Sequence, residues 1–222
     1  GFEAVERDTV YNRVEKVAAW IKVTITARID NDFKSLETYF QRLFDLHNEL
    51  VQQEQQFPIV AYDVDAEESH AEHFFVSHLI KPDMIIGVYG CFEFWIQKIC
   101  DYHELKNNLA LSYKDIRGKH DLHTYHKYLT LVAGLNLVPV QTSYQRLDDL
   151  RKVRNIVVHN GGHTPKEKEN ELSKIDGISV LGSLVVITEE FVSDLLTHAK
   201  RFAIYVAKPT PWASKSGFRN GK

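Results

Sequence analysis

The sequence predicts an all-α protein, an antiparallel helical bundle with one short β-hairpin before the last helix. Apolar residues recur every three or four positions along most of the chain, as on one face of a helix. The elements follow as helix upon helix, and the 222 residues suffice for one core. We therefore expect one helical domain over residues 1–207, with 1–80 as part of it or as an N-terminal helical extension, and a disordered tail over 208–222.

The first half of the chain is predicted to form four helices. They cover about residues 9–28, 32–56, 66–80 and 84–102, each with an apolar stripe at helical spacing. Pro82 disfavours helix at the residue before it, so we expect it to separate the third helix from the fourth. The fourth is the most apolar and is expected to be the central helix of the bundle.

Local signals place two helices in the second half. After a polar loop, residues 121–133 carry a helical stripe, and Gly134 suits the left-handed residue that ends many helices. Either Thr142 or Ser143 can cap the next helix with its hydroxyl. That helix is expected to end at Asn160-Gly161-Gly162.

A hairpin and a last helix are predicted near the C-terminus. The β-favouring residues 178–180 and 184–187 flank a turn at Leu181-Gly182-Ser183. Thr188 then precedes Glu189 and Glu190, which suit the first turn of a helix because carboxylates favour its positive end.

Composition limits the classes of partner. Lysine and arginine total 27 against 30 acids, so a nucleic-acid partner would need a local basic site. No apolar run is long enough to span a bilayer and no leader opens the chain, so we expect a cytoplasmic protein without a membrane partner. Cys91 and Cys100 lie about 13 Å apart along one helix and are expected to be reduced core residues.

The polar residues with most chemical potential lie near the end of the helix before Gly161. Asn155 and His159 are four positions apart and share a helical face, and the long side chain of Arg154 can lean towards the same patch. The same helix also carries Arg146, Arg151 and Lys152, which predicts a local basic surface.

Residues 150–162, Leu-Arg-Lys-Val-Arg-Asn-Ile-Val-Val-His-Asn-Gly-Gly, resemble the signature of HEPN proteins (higher eukaryotes and prokaryotes nucleotide-binding). That signature is an arginine, commonly followed by asparagine or another polar residue, with a histidine after four intervening positions. The apolar stretch 89–100 around Glu93 is similar to the helix that faces the motif in this family. The resemblance extends over about residues 84–205.

The resemblance implies a metal-independent endoribonuclease that acts as a homodimer, with two motifs facing one cleft and no cofactor. Arg154, Asn155 and His159 would be catalytic, cutting RNA by attack of its own 2'-hydroxyl to leave a 2',3'-cyclic phosphate. By analogy, a role as a toxin or a phage-defence effector follows, with an antitoxin or another inhibitory protein as partner.

Four further residues are predicted to support this site. Arg151, Lys152 and Asn160 are expected to contact the substrate. Glu93 is expected either to lie at the exposed edge of its helix or to be a buried acid that pairs with Arg154; we favour the pair, because a buried carboxylate needs a partner.

Several alternatives remain open. One alternative is a non-catalytic HEPN module that dimerises and binds RNA, a nucleotide or a protein through the same residues. Another is a plain helical scaffold, in which these residues would be buried in helix caps and separate ion pairs. His120, His123 and His126 are spaced three apart, which turns their rings away from one another, so we predict no metal site there. A single Glu67-x-x-His70 lacks the second copy that a di-iron bundle needs.

Overall fold

The structure is a computed structural model that describes the backbone of residues 2–56 and 64–208 and the side chains of residues 25–50, 52–53 and 79–208. In these ranges the elements are α1 (Phe2–Gln56), α2 (Val64–Asn107), α3 (Asp121–Lys127), α4 (Gln141–Asn160), α5 (Lys166–Leu172), β1 (Ile178–Leu181), β2 (Leu184–Ile187) and α6 (Glu189–Ala207). The predicted all-α class, with one hairpin before the last helix, is confirmed. The predicted tail beyond Lys208, and the side chains of Glu67 and His70, lie outside what is described.

Helix α1 is one continuous helix, so the predicted break between residues 28 and 32 is wrong. This stretch contains neither glycine nor proline, and Ile29 is fully buried. The Asp30 carboxylate is held by Lys34 on the next turn and by Lys200 of α6, both within 2.8 Å. Burial and ion pairing at these positions therefore favour continuation of the helix.

Helix α2 is also continuous and contains Pro82, so the predicted separation of two helices there is wrong. Proline inside a helix removes one backbone hydrogen bond and costs about 3 kcal/mol. The residues just after it, Met84, Ile85 and Val88, are completely buried. Each such side chain contributes about 1.5–3 kcal/mol on burial, which offsets the loss at Pro82.

The long helices form an antiparallel bundle. Asp32 of α1 accepts a hydrogen bond from the Trp95 indole of α2 at 3.1 Å. Eight residues further along α1, the buried ring of Phe40 packs close to Gly87 of α2, 3.5 Å from the position that a Cβ atom on this glycine would take. Helix α6 lies against both α1 and α2 and packs on α4. One core runs through α1, α2, α4 and α6.

Helix α3 continues directly into a wider π-helical turn over Tyr128–Val132, which the sequence did not predict. The chain then turns at Gly134, whose φ of +71° is the left-handed conformation predicted for it. The Leu135 N–H closes the turn by donating to the Leu129 carbonyl at 2.8 Å.

Helix α4 begins earlier than predicted. A 3-10 turn over Val138–Val140 contains Pro139 and leads directly into Gln141, with Val140 as the capping residue and no side-chain cap. The predicted cap at Thr142 or Ser143 is therefore wrong, because the turn with Pro139 runs directly into the helix and both residues lie inside it. The predicted end is confirmed, since the helix stops at Asn160 and Gly161 is left-handed with φ +57°.

The hairpin holds the chain segment that follows α4. Strands β1 and β2 pair in the register Ile178↔Ile187 to Leu181↔Leu184, with left-handed Gly182 in the turn. Thr164 donates to the Ser183 carbonyl at 2.7 Å and Val185 donates to the Gly162 carbonyl at 2.9 Å. The end of α4 is thus hydrogen-bonded to a small sheet.

Helix α6 begins as predicted, because the Thr188 hydroxyl accepts a hydrogen bond from the Phe191 N–H at 3.2 Å. Cys100 lies in the core, Cys91 is half-buried and both thiols are free. None of the helices in the described ranges is long and apolar enough to cross a membrane.

Candidate functional site

The last two turns of α4 present the predicted motif. Asn155 is half-buried and His159 is exposed, and both line a groove of about 310 Å³ between α4 and α5. His159 makes no hydrogen bond or ion pair with any residue the structure describes. An exposed imidazole beside an amide is free to exchange a proton with a ligand or to donate a hydrogen bond to it.

The groove is lined by all three residues predicted to contact substrate and by two of the three predicted catalytic residues. Its lining consists of Arg151, Lys152, Asn155, Ile156, His159, Asn160, Lys168, Glu171 and Leu172. Arg154 is absent from this lining. The structure therefore brings Asn155, His159 and the three predicted substrate contacts together, and places Arg154 beside them on the side of the helix that faces α2.

Arg154 is positioned by two contacts. Its guanidinium lies over the ring of Tyr89 in α2, 5.2 Å from the centroid, and its Nη1 donates to the Asn155 Oδ1 at 3.1 Å. Burial raises the pKa of Tyr89 to about 12, so its hydroxyl stays protonated and the ring carries no charge. Asn155 therefore connects the arginine on one side of α4 with the groove on the other.

The remaining cations of α4 are neutralised by carboxylates. Arg146 donates to Asp194 at 2.7 Å, Arg151 to Asp148 at 2.9 Å, and Lys152 lies 3.3 Å from Glu171. Arg154 is the one cation of α4 that has no carboxylate partner among the described residues. The helix surface is thus much less basic than the spacing of its lysine and arginine residues predicts.

Glu93 lies near Arg154 without an ion pair to it. No Glu93 oxygen is within ion-pairing distance of a described cation, so the predicted close pair is not formed in this chain. Burial raises the pKa of Glu93, with Asp121 adding to the effect, whereas Arg154 and the Tyr125 hydroxyl act to lower it. Glu93 is half-buried, between the two positions that the sequence allowed for it.

Helix α5 is the part of the site that the sequence did not predict. Its seven residues follow Pro165, and Leu172 at its end is buried against the groove. The helix brings Lys168 and Glu171 into the lining of the groove that holds His159. No periodic signal was available, because two turns of Lys-Glu-Lys-Glu-Asn-Glu-Leu carry one apolar residue.

His120, which caps α3, and His123 and His126 within α3 each make contacts with nearby residues. His120 caps the helix by accepting from the His123 N–H at 3.2 Å, and its Nε2 lies 3.6 Å from Asp148. His123 accepts from the Lys119 N–H at 3.0 Å, and His126 packs on a tyrosine ring of α4. Over the part of the chain that is described, no three metal-ligating side chains cluster together.

A serine, a histidine and an aspartate also meet between α4 and α6. The Ser143 Oγ is 3.0 Å from His198 Nδ1, and His198 Nε2 is 3.3 Å from Asp194. Ser143 is only 1% exposed, and Asp194 already accepts from Arg146. A nucleophilic serine must reach its substrate, so this group is a structural link between the helices.

A larger groove among the described residues lies away from the motif. It has a volume of about 750 Å³, runs along α1 and α6, and is lined by Phe33, Phe40 and Phe44 together with Lys200 and Arg201. Lys200 is bound to Asp30 at 2.7 Å. Volume alone therefore does not select a candidate site, and the unpartnered imidazole beside Asn155 favours the smaller groove between α4 and α5.

Comparisons of this chain with protein-family models, with curated proteins and with solved structures returned no match.

Proposed function

We propose that this protein is a metal-independent endoribonuclease that cuts RNA with Arg154, Asn155 and His159. The observation that carries the proposal is the connection through Asn155. This amide lines the groove together with the unpartnered imidazole of His159, and its oxygen holds the one α4 cation that has no carboxylate partner among the described residues. An imidazole for proton transfer, an orienting amide and a guanidinium without a carboxylate partner among the described residues thus lie within two turns of one helix.

The proposed reaction needs only these groups, RNA and water. The 2'-hydroxyl attacks the adjacent phosphorus, the bond to the 5'-oxygen breaks, and the products are a 2',3'-cyclic phosphate and a free 5'-hydroxyl. The 2'-oxygen loses a proton and the 5'-oxygen gains one; His159 makes one of these transfers and water makes the other, while Arg154 stabilises the charge on the non-bridging oxygens. The free N–H groups of Asn155 can donate to phosphate.

A homodimer is part of the proposal because Arg154 and His159 do not line the same groove within one chain. Residues five apart on a helix point about 140° away from each other. We propose that a second copy brings its own motif to the cleft, as the HEPN resemblance implies. Arg154 of one copy would then act on the RNA held near His159 of the other.

The position of Arg154 also favours a second candidate function. An arginine outside the groove lining is compatible with a HEPN module that binds RNA, a nucleotide or a protein without cutting. The two functions differ in one requirement, since only the enzyme needs His159 to transfer a proton.

The proposal is tested by incubating labelled tRNA and mixed cellular RNA with the protein in EDTA. We expect cleavage by the unaltered protein and at least a hundredfold loss in both variants, because His159→Ala removes the proton-transfer group and Arg154→Ala removes the group that stabilises the phosphoryl charge. His163→Ala is the matched control, since His163 is also exposed but binds Ser183 at 2.9 Å outside the groove. RNA binding without cleavage would favour the non-catalytic module.

The cellular role belongs to the same proposal. An RNA-cutting protein of this kind would act in the cytoplasm, as a toxin or a phage-defence effector restrained by an antitoxin or another inhibitory protein. Induced expression in bacteria is expected to arrest growth with the unaltered chain and not with His159→Ala. Equal growth of the two cultures would contradict this role.

A further inference from the structure

We infer that Lys168 of α5 forms a phosphate-binding subsite that holds single-stranded RNA in the groove beside His159. This inference rests on the proposed RNA substrate and adds a residue that lies outside the α4 motif. In this inference α5 forms one side of the groove and contributes the lysine that makes it selective for a phosphate-bearing chain.

The orientation of α5 brings Lys168 to the groove. Leu172 is 2% exposed and anchors the end of α5 on the core, and Lys168 lies four positions earlier on the same face of the helix. Both residues line the groove, as does Glu171, whereas Lys166 and Glu167 do not. The buried leucine thus fixes which lysine of this short helix lines the groove.

Lys168 is the cation of the groove that is left for a ligand. Arg151 is bound to Asp148 at 2.9 Å, and Lys152 lies 3.3 Å from Glu171 and 3.5 Å from Asp148. Lys168 is exposed and has no carboxylate partner among the residues that the structure describes. A phosphate entering the groove can therefore pair with Lys168 without breaking an existing ion pair.

Glu171 is expected to weaken phosphate binding in the same groove. Its side chain is 59% exposed and lies in the groove lining, so it repels a phosphate while it occupies Lys152. Replacing Glu171 with glutamine removes a negative charge from the groove and leaves Lys152 with one carboxylate partner fewer. One groove therefore offers two substitutions with opposite expected effects on RNA binding.

The volume of the groove indicates what kind of RNA it accepts. About 310 Å³ is at the small end of the range for ligand sites in proteins. Single-stranded segments, whose phosphates and bases are accessible one nucleotide at a time, suit such a site better than a duplex.

The test measures the affinity of the full chain for a fluorescent single-stranded 2'-O-methyl oligoribonucleotide, which has no 2'-hydroxyl to attack its own phosphate. We compare Lys168→Gln with Lys166→Gln, and Glu171→Gln with Glu167→Gln. Each pair makes the same charge change on the same helix, inside and outside the groove. Circular dichroism checks that all four variants are folded.

Loss of one phosphate contact to single-stranded RNA reduces the slope of log K against log salt by about 0.7, which corresponds to about fivefold weaker binding at about 0.1 M salt. We expect this loss in Lys168→Gln and a smaller one in Lys166→Gln. Glu171→Gln is expected to bind more tightly than Glu167→Gln. Equal affinities within the lysine pair, or no binding by the unaltered protein, would overturn the subsite.

The outcome is separable from that of the ribonuclease proposal. Binding that depends on Lys168, together with no cleavage of natural RNA, would overturn catalysis and support the subsite. Cleavage that depends on His159, together with equal binding by Lys168→Gln and Lys166→Gln, would overturn the subsite and support catalysis.

Discussion

The contact between Arg154 and Tyr89 is expected to stabilise the fold measurably, because it fixes an arginine that no described carboxylate holds. The guanidinium carbon lies 5.2 Å from the ring centroid. A cation over an aromatic ring contributes about 0.5–1 kcal/mol at exposed sites and about 2 kcal/mol when desolvated. Since Tyr89 is 6% exposed and Arg154 is half-buried, we expect a coupling energy of about 1 kcal/mol.

A double-mutant cycle isolates this coupling. Urea unfolding of the unaltered protein, Arg154→Ala, Tyr89→Leu and the double variant gives four free energies of unfolding. Their combination cancels the loss of Tyr89 packing, which is common to both legs of the cycle. Tyr89→Phe is the matched control, because it keeps the ring and is expected to keep the coupling to Arg154.

A coupling energy below about 0.3 kcal/mol would show that the Arg154 guanidinium and the Tyr89 ring do not stabilise each other, since the effects of independent sites add within that margin. A Tyr89→Phe variant that behaves like Tyr89→Leu would show the same. Either result would mean that Asn155 alone positions Arg154, and that α2 does not contribute to the placement of the cation.

Two further predictions concern pH. Burial lowers the pKa of His103, whose Nε2 lies 2.8 Å from the Val206 carbonyl, so stability is complete above the unfolded pKa of about 6.5 and falls as the pH drops through it. The urea midpoint should fall less between pH 7.5 and 5.5 in His103→Gln, and an equal fall would contradict the prediction. Burial raises the pKa of Glu93, so stability is lost as the pH rises through the usual carboxyl range. Glu93→Gln should therefore unfold at higher urea than the unaltered protein at pH 7 but not at pH 4, and a less stable variant at pH 7 would contradict it.

The parts of the fold that depend on local chemistry were predictable from the sequence. Gly134 and Gly161 end their helices because each takes a left-handed conformation that other residues rarely adopt. Thr188 begins α6 because its hydroxyl binds a free backbone N–H. These requirements involve neighbours in the chain, so the pattern of residue types contains them.

The continuity of the two long helices was not predictable in the same way. Pro82 normally ends a helix, and its tolerance depends on apolar burial on both sides of it. The helix through Asp30 continues where that carboxylate meets Lys200, a residue 170 positions later in the chain. Tertiary contacts of this kind override local preference, and periodicity does not reveal them.

In the candidate site, too, some features follow from spacing along the chain and others depend on tertiary packing. Asn155 and His159 share a groove because they are four apart on one helix, as the spacing predicted. Asp148 lies three and four positions before Arg151 and Lys152, so their neutralisation was open to the same reasoning. The position of Lys168 in the groove could not be predicted from spacing, because it depends on how the seven-residue helix α5 packs after the turn at Gly161.

The chemistry of the cut distinguishes attack by the RNA's own 2'-hydroxyl from other routes of cleavage. We would compare two RNA oligonucleotides that differ only in one 2'-deoxy nucleotide at the mapped cleavage position, each incubated in EDTA with the unaltered protein and with His159→Ala. We predict that the unaltered protein cuts only the all-ribose strand there, leaves a 2',3'-cyclic phosphate, and loses this activity in the variant. Cutting at the 2'-deoxy position, or equal cutting by His159→Ala, would contradict cleavage by 2'-hydroxyl attack with His159.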